Sequence, residues 1–292
     1  MRVTVVHNPG AGDEEPSRET LDAAISAAGH EARWQSVKED DWQDVLSEPD
    51  DLVVVAGGDG TVRKVFRELA GTALPATLLP VGSANNIARS LGFDDDPVRL
   101  IGGWSSAARQ PFDVGELSVE EDETSFVESV GGGLFADVLE RAEESGDDPG
   151  GDDKVGQGLR LLLDVLADAE PRPWRVEVDG LELADDLLAV EAMNIRETGP
   201  NIPLAPEADP QDGKLDVALT RPAHKGELQR YLEARLEGGP VQPPAFDVRR
   251  GEQVVLQPPD GATLRVDDKL AGSYDGRGLA YVRHRLGVLV PR

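Results

Sequence analysis

The first candidates for chemistry are residues Gly57 to Thr61, which read G-G-D-G-T directly after an apolar run that ends at Ala56. Glycines at such a junction let a ligand approach the backbone without a Cβ in the way. Backbone N–H groups at the start of a following helix attract an anion such as a phosphate. The carboxylate of Asp59 would repel a phosphate unless a metal ion or a donor hydroxyl lies between them. The pattern is typical of a metal-nucleotide site, and a glycine-rich turn with Asp59 or Thr61 as a helix cap is the alternative.

Two sequence patterns place these glycines in a strand-to-helix turn. The run Leu52–Ala56 is rich in β-branched residues and predicts a buried strand. The segment Thr61–Ala70 carries apolar residues at helical spacing and predicts an amphipathic helix. The first N–H groups of that helix would then point at the turn.

Two further polar turns also follow predicted strands, at Asn8–Gly12 and at Gly82–Asn86. Up to Gly92, predicted strands alternate with predicted helices, which predicts a doubly wound parallel sheet. In such a sheet, turns that follow strands lie at the same carboxyl edge, where ligands bind. We therefore expect all three turns to contribute to one nucleotide site.

The pattern changes after about Pro111. Short strand-like segments follow, separated by turn signals such as Asp179-Gly180 and Asp260-Gly261. Helical patterns interrupt them at residues 134–143, 158–169 and 225–235. This half predicts a second, mainly antiparallel β domain.

The balance of charge is strongly acidic. The chain of 292 residues has 56 Asp and Glu against 29 Lys and Arg, a net charge of −27, and only six of the basic residues are Lys. A charge this far from zero opposes compaction at low ionic strength, whereas at molar salt the Debye length falls to about 3 Å and the repulsion is screened. The composition indicates a halophilic protein, with an ordinary acidic protein as the alternative. It argues against nucleic acid as a partner, because no basic stripe is present.

The remaining composition excludes several classes of protein. Cys is absent, so disulfides and thiolate chemistry are excluded. No apolar run has membrane-spanning length and no signal-peptide pattern follows Met1, so we expect a cytoplasmic protein. The four His lack the spacing of a metal site. His7 is the exception to watch, because it directly precedes Asn8 at the end of a predicted strand.

Two motifs together indicate a family. G-G-D-G-T-V at residues 57–62 is followed by L-P-V-G-S-A-N-N-I-A-R-S-L-G at residues 79–92. The pair resembles the diacylglycerol kinase catalytic family, which includes bacterial lipid kinases and sphingosine kinases. The first motif alone is shared with NAD kinases, and the second separates the lipid kinases from them. The resemblance continues in order along nearly the whole chain, through N-P-G-A-G at 8–12, F-D-V-G at 112–115 and D-G-K-L-D at 212–216.

The resemblance implies two domains and a reaction. Residues 1–111 would form the nucleotide-binding α/β domain and residues 112–279 a β-sandwich domain for the lipid substrate, with the tail at about 280–292 packing back on the first. The implied reaction is phosphorylation of a lipid hydroxyl, such as that of diacylglycerol, with ATP and Mg²⁺. The protein would then act as a transient, peripheral partner of the inner membrane face. A homodimer is left open.

The resemblance also implies roles for individual residues. The positions that match the nucleotide-binding motifs are Asn8, Pro9, Gly10, Ala11, Gly12, Gly57, Gly58, Asp59, Gly60, Thr61, Val62, Arg63, Gly82, Ser83, Asn85 and Asn86. Asp59 and Asp113 would belong to an acidic, magnesium-linked network in catalysis. In the bacterial members a structural magnesium ion lies near the D-G-x-L-D segment, which implicates Asp212, with Asp209 and Lys214 contributing backbone carbonyls. A hairpin turn at Asp212-Gly213 is compatible with that role.

The chain departs from the family at polar positions. The family's proton acceptor is the Glu of a V-D-G-E-like segment, and Lys269 stands at that position here, after Asp267 and Asp268. A protonated Lys, with an ordinary pKa of about 10.4, cannot accept the hydroxyl proton. Asp267 or Asp268 would take over the catalytic role, or the chain has lost lipid kinase activity. Asn86 stands where many members have Asp, and Arg63-Lys64 where Asn-Glu is common.

Two other functions therefore stay open. One is a nucleotide- or lipid-binding protein without turnover, which Lys269 and Asn86 favour. The other is a NAD-type small-molecule kinase, which the glycine motif allows and the segment 79–92 opposes.

Overall fold

The structure is a computed structural model that describes residues 1–10, 16–47, 50–145, 153–273 and 276–290. The chain divides into two compact units, Met1–Val114 with His284–Arg292, and Gly115–Arg283. Ala11 and Gly12, two of the predicted nucleotide-binding residues, lie outside the described residues.

In the first unit, strands alternate with helices. Its elements in chain order are β1 (Arg2–His7), α1 (Arg18–Ala27), β2 (Glu31–Ser36), a 3₁₀ helix (Trp42–Leu46), β3 (Leu52–Gly57), α2 (Asp59–Leu69), β4 (Pro75–Pro80), α3 (Asn86–Ser90), α4 (Pro97–Gly103) and a 3₁₀ helix (Trp104–Ser106). Strand β5 (Ala108–Val119) begins in this unit.

The second unit is mainly β-structure with three long helices. Its elements are β6 (Asp122–Phe126), β7 (Ser129–Gly133), α5 (Leu134–Ser145), α6 (Lys154–Asp168), β8 (Arg172–Val178), β9 (Leu181–Leu187), β10 (Ala189–Met193), β11 (Leu215–Thr220), a 3₁₀ helix (Pro222–His224), α7 (Lys225–Leu236), β12 (Asp247–Gly251), β13 (Gln253–Gln257), β14 (Thr263–Val266), β15 (Lys269–Ser273) and β16 (Gly278–Val290), whose end belongs to the first unit.

A parallel sheet forms the centre of the first unit. Its strands follow the order β2-β1-β3-β4, and the end of β16 pairs with β4 through Gly287 and Pro75. Every residue of β3 is buried, as expected for a strand that is covered on both faces. Helix α2 buries an apolar face from Val62 to Leu69, at the spacing that the sequence predicts. The predicted α/β architecture of this half is confirmed.

Two antiparallel layers form the second unit. One is the sheet β12-β11-β10-β7-β14-β15, and the other contains β9, β8, β13 and the start of β16. Their side chains share one core, which includes Trp174 of β8, Val190 of β10 and Leu264 of β14. A second apolar cluster joins α5, α6 and α7 to the outer face of the first sheet. The predicted antiparallel β-sandwich is confirmed.

Some elements differ from the sequence prediction. The sequence pattern predicts a single strand over residues 124–130. The structure divides this segment between the end of β6 and the start of β7, because the N–H groups of Val127 and Glu128 donate to the Asp267 carboxylate instead of a neighbouring strand. Helix α4 was not predicted, although its signal is present in the sequence. Asp96 accepts from the Val98 N–H as N-cap, and Pro97 occupies the first helical position.

Candidate active site

The carboxyl ends of β1, β3 and β4 lie side by side, because His7 pairs with Ala56 and Gly57 pairs with Pro80. The Asn8 N–H donates to the Ala56 carbonyl at 3.3 Å, so the turn after β1 is tied to the end of β3. All three polar turns therefore begin at one edge of the sheet, as the strand order predicts.

Asp59 joins the glycine turn to the turn after β4. Its Oδ2 accepts from the Asn86 N–H at 3.0 Å and its Oδ1 accepts from the Ile87 N–H at 2.9 Å. Burial raises the pKa of the Asp59 carboxyl, and these two N–H groups and the Arg63 guanidinium act in the opposite direction. Arg63 follows one helical turn after Asp59 and is only 9% exposed. Arg63 stands at a position where the chain departs from the family, and its positive charge offsets the negative charge of the buried Asp59.

Close packing explains three of the glycines, two of them because the two turns pack on each other and the third because of its own helix. A Cβ on Gly82 would overlap the Cα of Gly58, and one on Gly58 would lie 3.1 Å from the Cα of Gly82. A Cβ on Gly57 would lie 2.6 Å from the Cβ of Thr61. These glycines serve the fold of the turns themselves.

Gly60 is different from the other glycines of the motif. A Cβ there would meet only the end of the Arg63 side chain, at 3.6 Å, which is an ordinary contact. Gly60 is exposed in the first turn of α2, where an L-residue fits without strain. The packing of the described residues gives no reason for a glycine at this position.

Asn85 shapes the turn after β4. Its backbone is left-handed, with φ of 53°, a conformation that Asn tolerates better than most residues. Its Nδ2 donates to the Gly82 carbonyl at 2.7 Å and its Oδ1 accepts from the Gly82 N–H at 3.1 Å. Ser83 lies exposed at the surface of this turn. The side chain of Asn85 therefore supports the turn, whereas Ser83 is available to a ligand.

A cavity of about 570 Å³ opens at the same edge, and Asn8, Pro9 and Ala56 line it. Its size suits a small-molecule ligand. Sequence reasoning did not find three residues of its wall, Arg18, Trp34 and Ser36. A signal for Ser36 is present in the sequence, because this residue lies near the carboxyl end of a strand of the parallel sheet.

An aromatic and cationic cluster forms one wall of this cavity. The Arg18 guanidinium lies 5.0 Å from the centre of the Trp34 ring, and the His7 ring meets Trp34 edge-on at 5.3 Å. Trp34 Nε1 donates to Asp22 at 2.9 Å, which fixes the indole. Burial lowers the pKa of His7, and Arg18 adds to this effect. At neutral pH His7 can therefore both donate and accept hydrogen bonds.

Asp113 is a buried acid of the first unit, and its side chain has no exposed surface. Arg285, in the end of β16, donates from Nε to Asp113 Oδ1 at 2.5 Å. The resemblance implies a magnesium-linked role for Asp113, which stays a prediction, and the structure shows that Arg285 is one partner of its carboxylate. The two residues are 172 positions apart in the chain, so the pair could not be read from the sequence.

The hairpin turn between β14 and β15 contains Asp267 and Asp268, and Lys269 begins β15. Asp267 is buried, has φ of 55°, and its carboxylate accepts from three consecutive backbone N–H groups, those of residues 127–129, at 2.8–3.2 Å. Asp268 and Lys269 are exposed. Asp267 therefore anchors the turn, and Asp268 is the exposed carboxylate of the pair.

A buried ion pair supports this hairpin. Arg265 donates from Nε and Nη2 to the two oxygens of Glu191 at 2.8 Å each, and neither side chain is more than 6% exposed. The same guanidinium donates to the Ser129 and Thr198 hydroxyls and to the Asp267 carbonyl. These hydrogen bonds connect the turn to strands β7, β10 and β14 and so fix the position of its backbone.

The predicted magnesium loop contains Asp209, Asp212 and Lys214. Asp209 Oδ1 accepts from the Gln211 N–H at 3.1 Å, and Asp212 Oδ1 accepts from the Lys214 N–H at 2.9 Å. Among the residues that the structure describes, no group of three or more His, Asp or Glu side chains is arranged to hold a metal ion. A guanidinium, that of Arg250, reaches this loop. The magnesium role of these three residues stays a prediction.

Two family models match the chain. The diacylglycerol kinase catalytic domain matches residues 2–117, and the YegS C-terminal NAD kinase beta sandwich-like domain matches residues 157–286. No helix within the described ranges is long and apolar enough to span a bilayer.

Similar proteins cover both halves of the chain. The "Probable lipid kinase YegS-like" of Pseudomonas syringae pv. tomato is 30% identical over 237 residues, which cover 78% of this chain and 72% of that protein. The "Diacylglycerol kinase" of Bacillus subtilis is 23% identical over 317 residues, which cover 100% and 97%. A crystal structure of a diacylglycerol kinase from Bacillus anthracis str. Sterne has the same fold, with a TM-score of 0.69, 17% identity and coverage of 99% and 96%.

These matches define the class as phosphotransferases of the kinase type. The chain belongs to the diacylglycerol kinase catalytic family, with a YegS-type β-sandwich as its C-terminal domain. The resemblance seen in the sequence motifs is confirmed.

Proposed function

We propose that this protein is a lipid kinase that transfers the γ-phosphate of ATP, bound with Mg²⁺, to a lipid hydroxyl such as that of diacylglycerol. The observation that carries the proposal is the edge formed by the three turns, where Asp59 ties the start of α2 to the turn after β4 beside a cavity of about 570 Å³. Family membership supplies the type of reaction, and this edge supplies a place for the nucleotide.

The nucleotide would bind in two parts. The base and ribose occupy the cavity against Trp34 and His7, and the phosphates lie at the first turn of α2, where Gly60 allows close approach. The helix N-terminus favours the negative charge of the phosphates. Mg²⁺ bound with ATP neutralises charge on the transferred group. The residues of this chain hold and orient the donor, and Asn8, Pro9, Gly10 and Ser83 belong to the same proposed set.

The proton acceptor would be Asp268. Asp267 is unsuited, because its carboxylate already accepts from three backbone N–H groups, and Lys269 has no carboxylate to accept the proton. Asp268 has an exposed carboxylate one position before the family's Glu. A general base of this kind contributes about 10²–10⁴-fold to the rate.

Exchange of side chains in the hairpin tests this assignment. Asp268→Asn should lower kcat by about 10²-fold or more while the KM for ATP changes little, because only the proton transfer is lost. Lys269→Glu in the Asp268→Asn background should restore activity, since it returns the acid of the family. Full activity of Asp268→Asn would show that another group accepts the proton.

A second function has its own support. Lys269 at the position of the family's base favours a nucleotide- or lipid-binding protein without turnover. An acceptor panel separates the functions, with γ-labelled ATP offered to diacylglycerol, a sphingoid base and NAD at low and at molar KCl. We expect label in a lipid product. Label in NAD alone would reject the lipid kinase, and nucleotide binding without transfer to any acceptor would support the non-catalytic protein.

Membrane contact would be peripheral and transient. A net charge of −27 opposes recruitment to an anionic inner membrane face, so we propose apolar contact or extraction of the lipid substrate. Flotation with vesicles tests this, and binding that strengthens with anionic lipid and weakens with salt would contradict it.

A further inference from the structure

The acidic loop from Glu207 to Asp216 is held by one guanidinium. Arg250 donates from Nε to both oxygens of Asp216, at 3.0 and 3.2 Å, and from Nη2 to the Glu207 carbonyl at 2.6 Å. Its Nη1 lies 3.7 Å from Asp212 Oδ2. One cation thus reaches the start, the middle and the end of the loop.

The pairing of β11 with β12 determines where the Arg250 guanidinium lies. Asp216 of β11 stands directly opposite Arg250 of β12 in the antiparallel pair. Cross-strand partners of opposite charge lie within reach of each other without any rearrangement of the loop. The neighbouring Arg249 pairs with Val217, is exposed, and donates to the carbonyl of Val248. The contact of Arg250 with the loop is therefore specific to its position.

The loop needs a positive charge. The side chain of Asp216 is only 5% exposed, and both of its carboxylate oxygens accept from Arg250. The carboxylate of Asp212 lies 3.7 Å from the same guanidinium, and Asp209 belongs to the same loop. Without a cation, three carboxylates within eight residues would repel each other. A magnesium ion or an internal guanidinium can meet this need.

The side chains present do not fit a magnesium ion beside Arg250. Mg²⁺ binds oxygen ligands at about 2.0–2.1 Å in octahedral geometry. An ion on Asp212 would lie close to the guanidinium that already approaches the same carboxylate, and two positive charges at that distance repel. The oxygens of Asp216 are both engaged by Arg250.

We propose that Arg250 replaces a structural metal ion in this chain, so that the loop 207–216 folds without a divalent cation. The inference does not depend on kinase activity, because it concerns the folding of one loop in the second unit.

Two matched arginine variants test the proposal. Arg250→Gln removes the cation, and Arg249→Gln removes an equal charge from the next position of the same strand. The Tm of each protein is measured at constant molar KCl with chelator and with Mg²⁺. We expect the same Tm in both conditions for the wild type and for Arg249→Gln. Arg250→Gln should have a lower Tm in chelator and should recover part of it with Mg²⁺.

Three results would overturn the proposal. The wild type could lose stability in chelator, which would mean that it holds a structural metal ion. Arg250→Gln could be as stable in chelator as Arg249→Gln. Mg²⁺ could fail to raise the Tm of Arg250→Gln, which would make Arg250 an ordinary ion-pair partner.

A second measurement keeps the test decisive if Arg250→Gln does not fold. Amide hydrogen exchange of residues 207–216 in the wild-type protein is compared in chelator and in Mg²⁺. Unchanged protection supports the internal cation, and faster exchange in chelator contradicts it.

Discussion

At the scale of single residues, the four glycines of the two turns have different reasons to be glycine. A Cβ on Gly57, Gly58 or Gly82 would lie 3.1 Å or less from a neighbouring atom, whereas a Cβ on Gly60 would make only an ordinary contact at 3.6 Å. The sequence predicts a common role in ligand approach for all of them. In the structure, the packing of the turns requires Gly57, Gly58 and Gly82, whereas only the approach of a ligand would require Gly60.

Gly60→Ala should therefore stabilise the protein and weaken nucleotide binding. Alanine in place of glycine inside a helix contributes about 0.5–1 kcal/mol, and the new methyl group would stand where the phosphates approach. Thermal unfolding and titration with ATP measure the two effects. We expect a higher Tm with an affinity lower by about tenfold or more, which corresponds to about 1.4 kcal/mol.

Gly82→Ala is the matched control. Its Cβ would overlap the backbone of Gly58, so it should lower the Tm as well as the affinity. An unchanged ATP affinity in Gly60→Ala would mean that the phosphates of ATP do not bind at this turn.

His7 makes the stability of the first unit depend on pH. Burial and Arg18 lower its pKa in the folded protein, while Glu39 acts in the opposite direction. The unfolded chain, with a pKa of about 6.5, then binds the proton more readily, so stability is lost as the pH falls through about 6.5 toward the lowered value.

The His7→Gln variant should lack this loss. Urea unfolding at about pH 7.5 and about pH 5.5 should show that the wild type loses more free energy of unfolding than the variant on acidification. An equal loss in both proteins would mean that His7 titrates alike in the folded and unfolded chains.

Some contacts between single residues could not be predicted from the sequence. The three turns were found because each follows a strand of a parallel sheet. The contacts Asp113–Arg285 and Asp216–Arg250 join distant parts of the chain, and nothing local in the sequence indicates them. The same holds for the packing of Trp34 against Arg18 at the cavity.

Among the secondary-structure elements, strands β10 and β14 form a buried charge pair across the strand between them, β7. Glu191 of β10 and Arg265 of β14 meet across β7, where Gly131 leaves room: a Cβ there would lie 2.6 Å from Glu191 Cδ. Burial raises the pKa of Glu191 and Arg265 lowers it. Either charge, if it were buried without its partner, would strongly destabilise the folded protein.

Removal of one partner should cost far more than removal of both. Arg265→Met leaves Glu191 buried and unpaired, and should lower the free energy of unfolding by about 3–5 kcal/mol. Glu191→Met combined with Arg265→Met should recover much of this loss, because two apolar side chains replace the pair. Chemical denaturation of the single and double variants measures the coupling, and additive losses would contradict it.

Element boundaries were predictable where local pattern decides them. Strands β1 and β3 and helix α2 follow directly from apolar runs and helical spacing. Strand β16 was not foreseen, because the alternation of buried and less buried positions at its two ends is interrupted in the middle, at residues 281–285. The division between β6 and β7 depends on Asp267, which is about 140 residues away.

At the scale of the whole molecule, charge is the dominant feature. A net charge of −27 on 292 residues implies strong self-repulsion at low ionic strength. Several ion pairs, such as Arg283 with Glu116 and Glu123, bring the scarce positive charges onto this acidic surface. The folded protein should therefore become more stable when salt screens the repulsion between its negative charges.

The Tm should rise steadily between low and molar KCl, because the Debye length shrinks from about 30 Å at 0.01 M to about 3 Å at 1 M. Differential scanning calorimetry in KCl, with an equal ionic strength of NaCl as control, measures this. A Tm that does not rise would contradict the proposed halophilic adaptation.

Lipid kinase activity is tested most directly by transfer of labelled γ-phosphate from ATP to diacylglycerol in mixed micelles at molar KCl, with Asp59→Ala as the comparison. We expect label in the lipid phase with the wild-type protein. Asp59→Ala should lose the label, because the start of α2 is no longer tied to the turn after β4. A wild-type protein that binds ATP and leaves the lipid phase unlabelled, with diacylglycerol and with a sphingoid base, would show that the protein is not a lipid kinase for these acceptors.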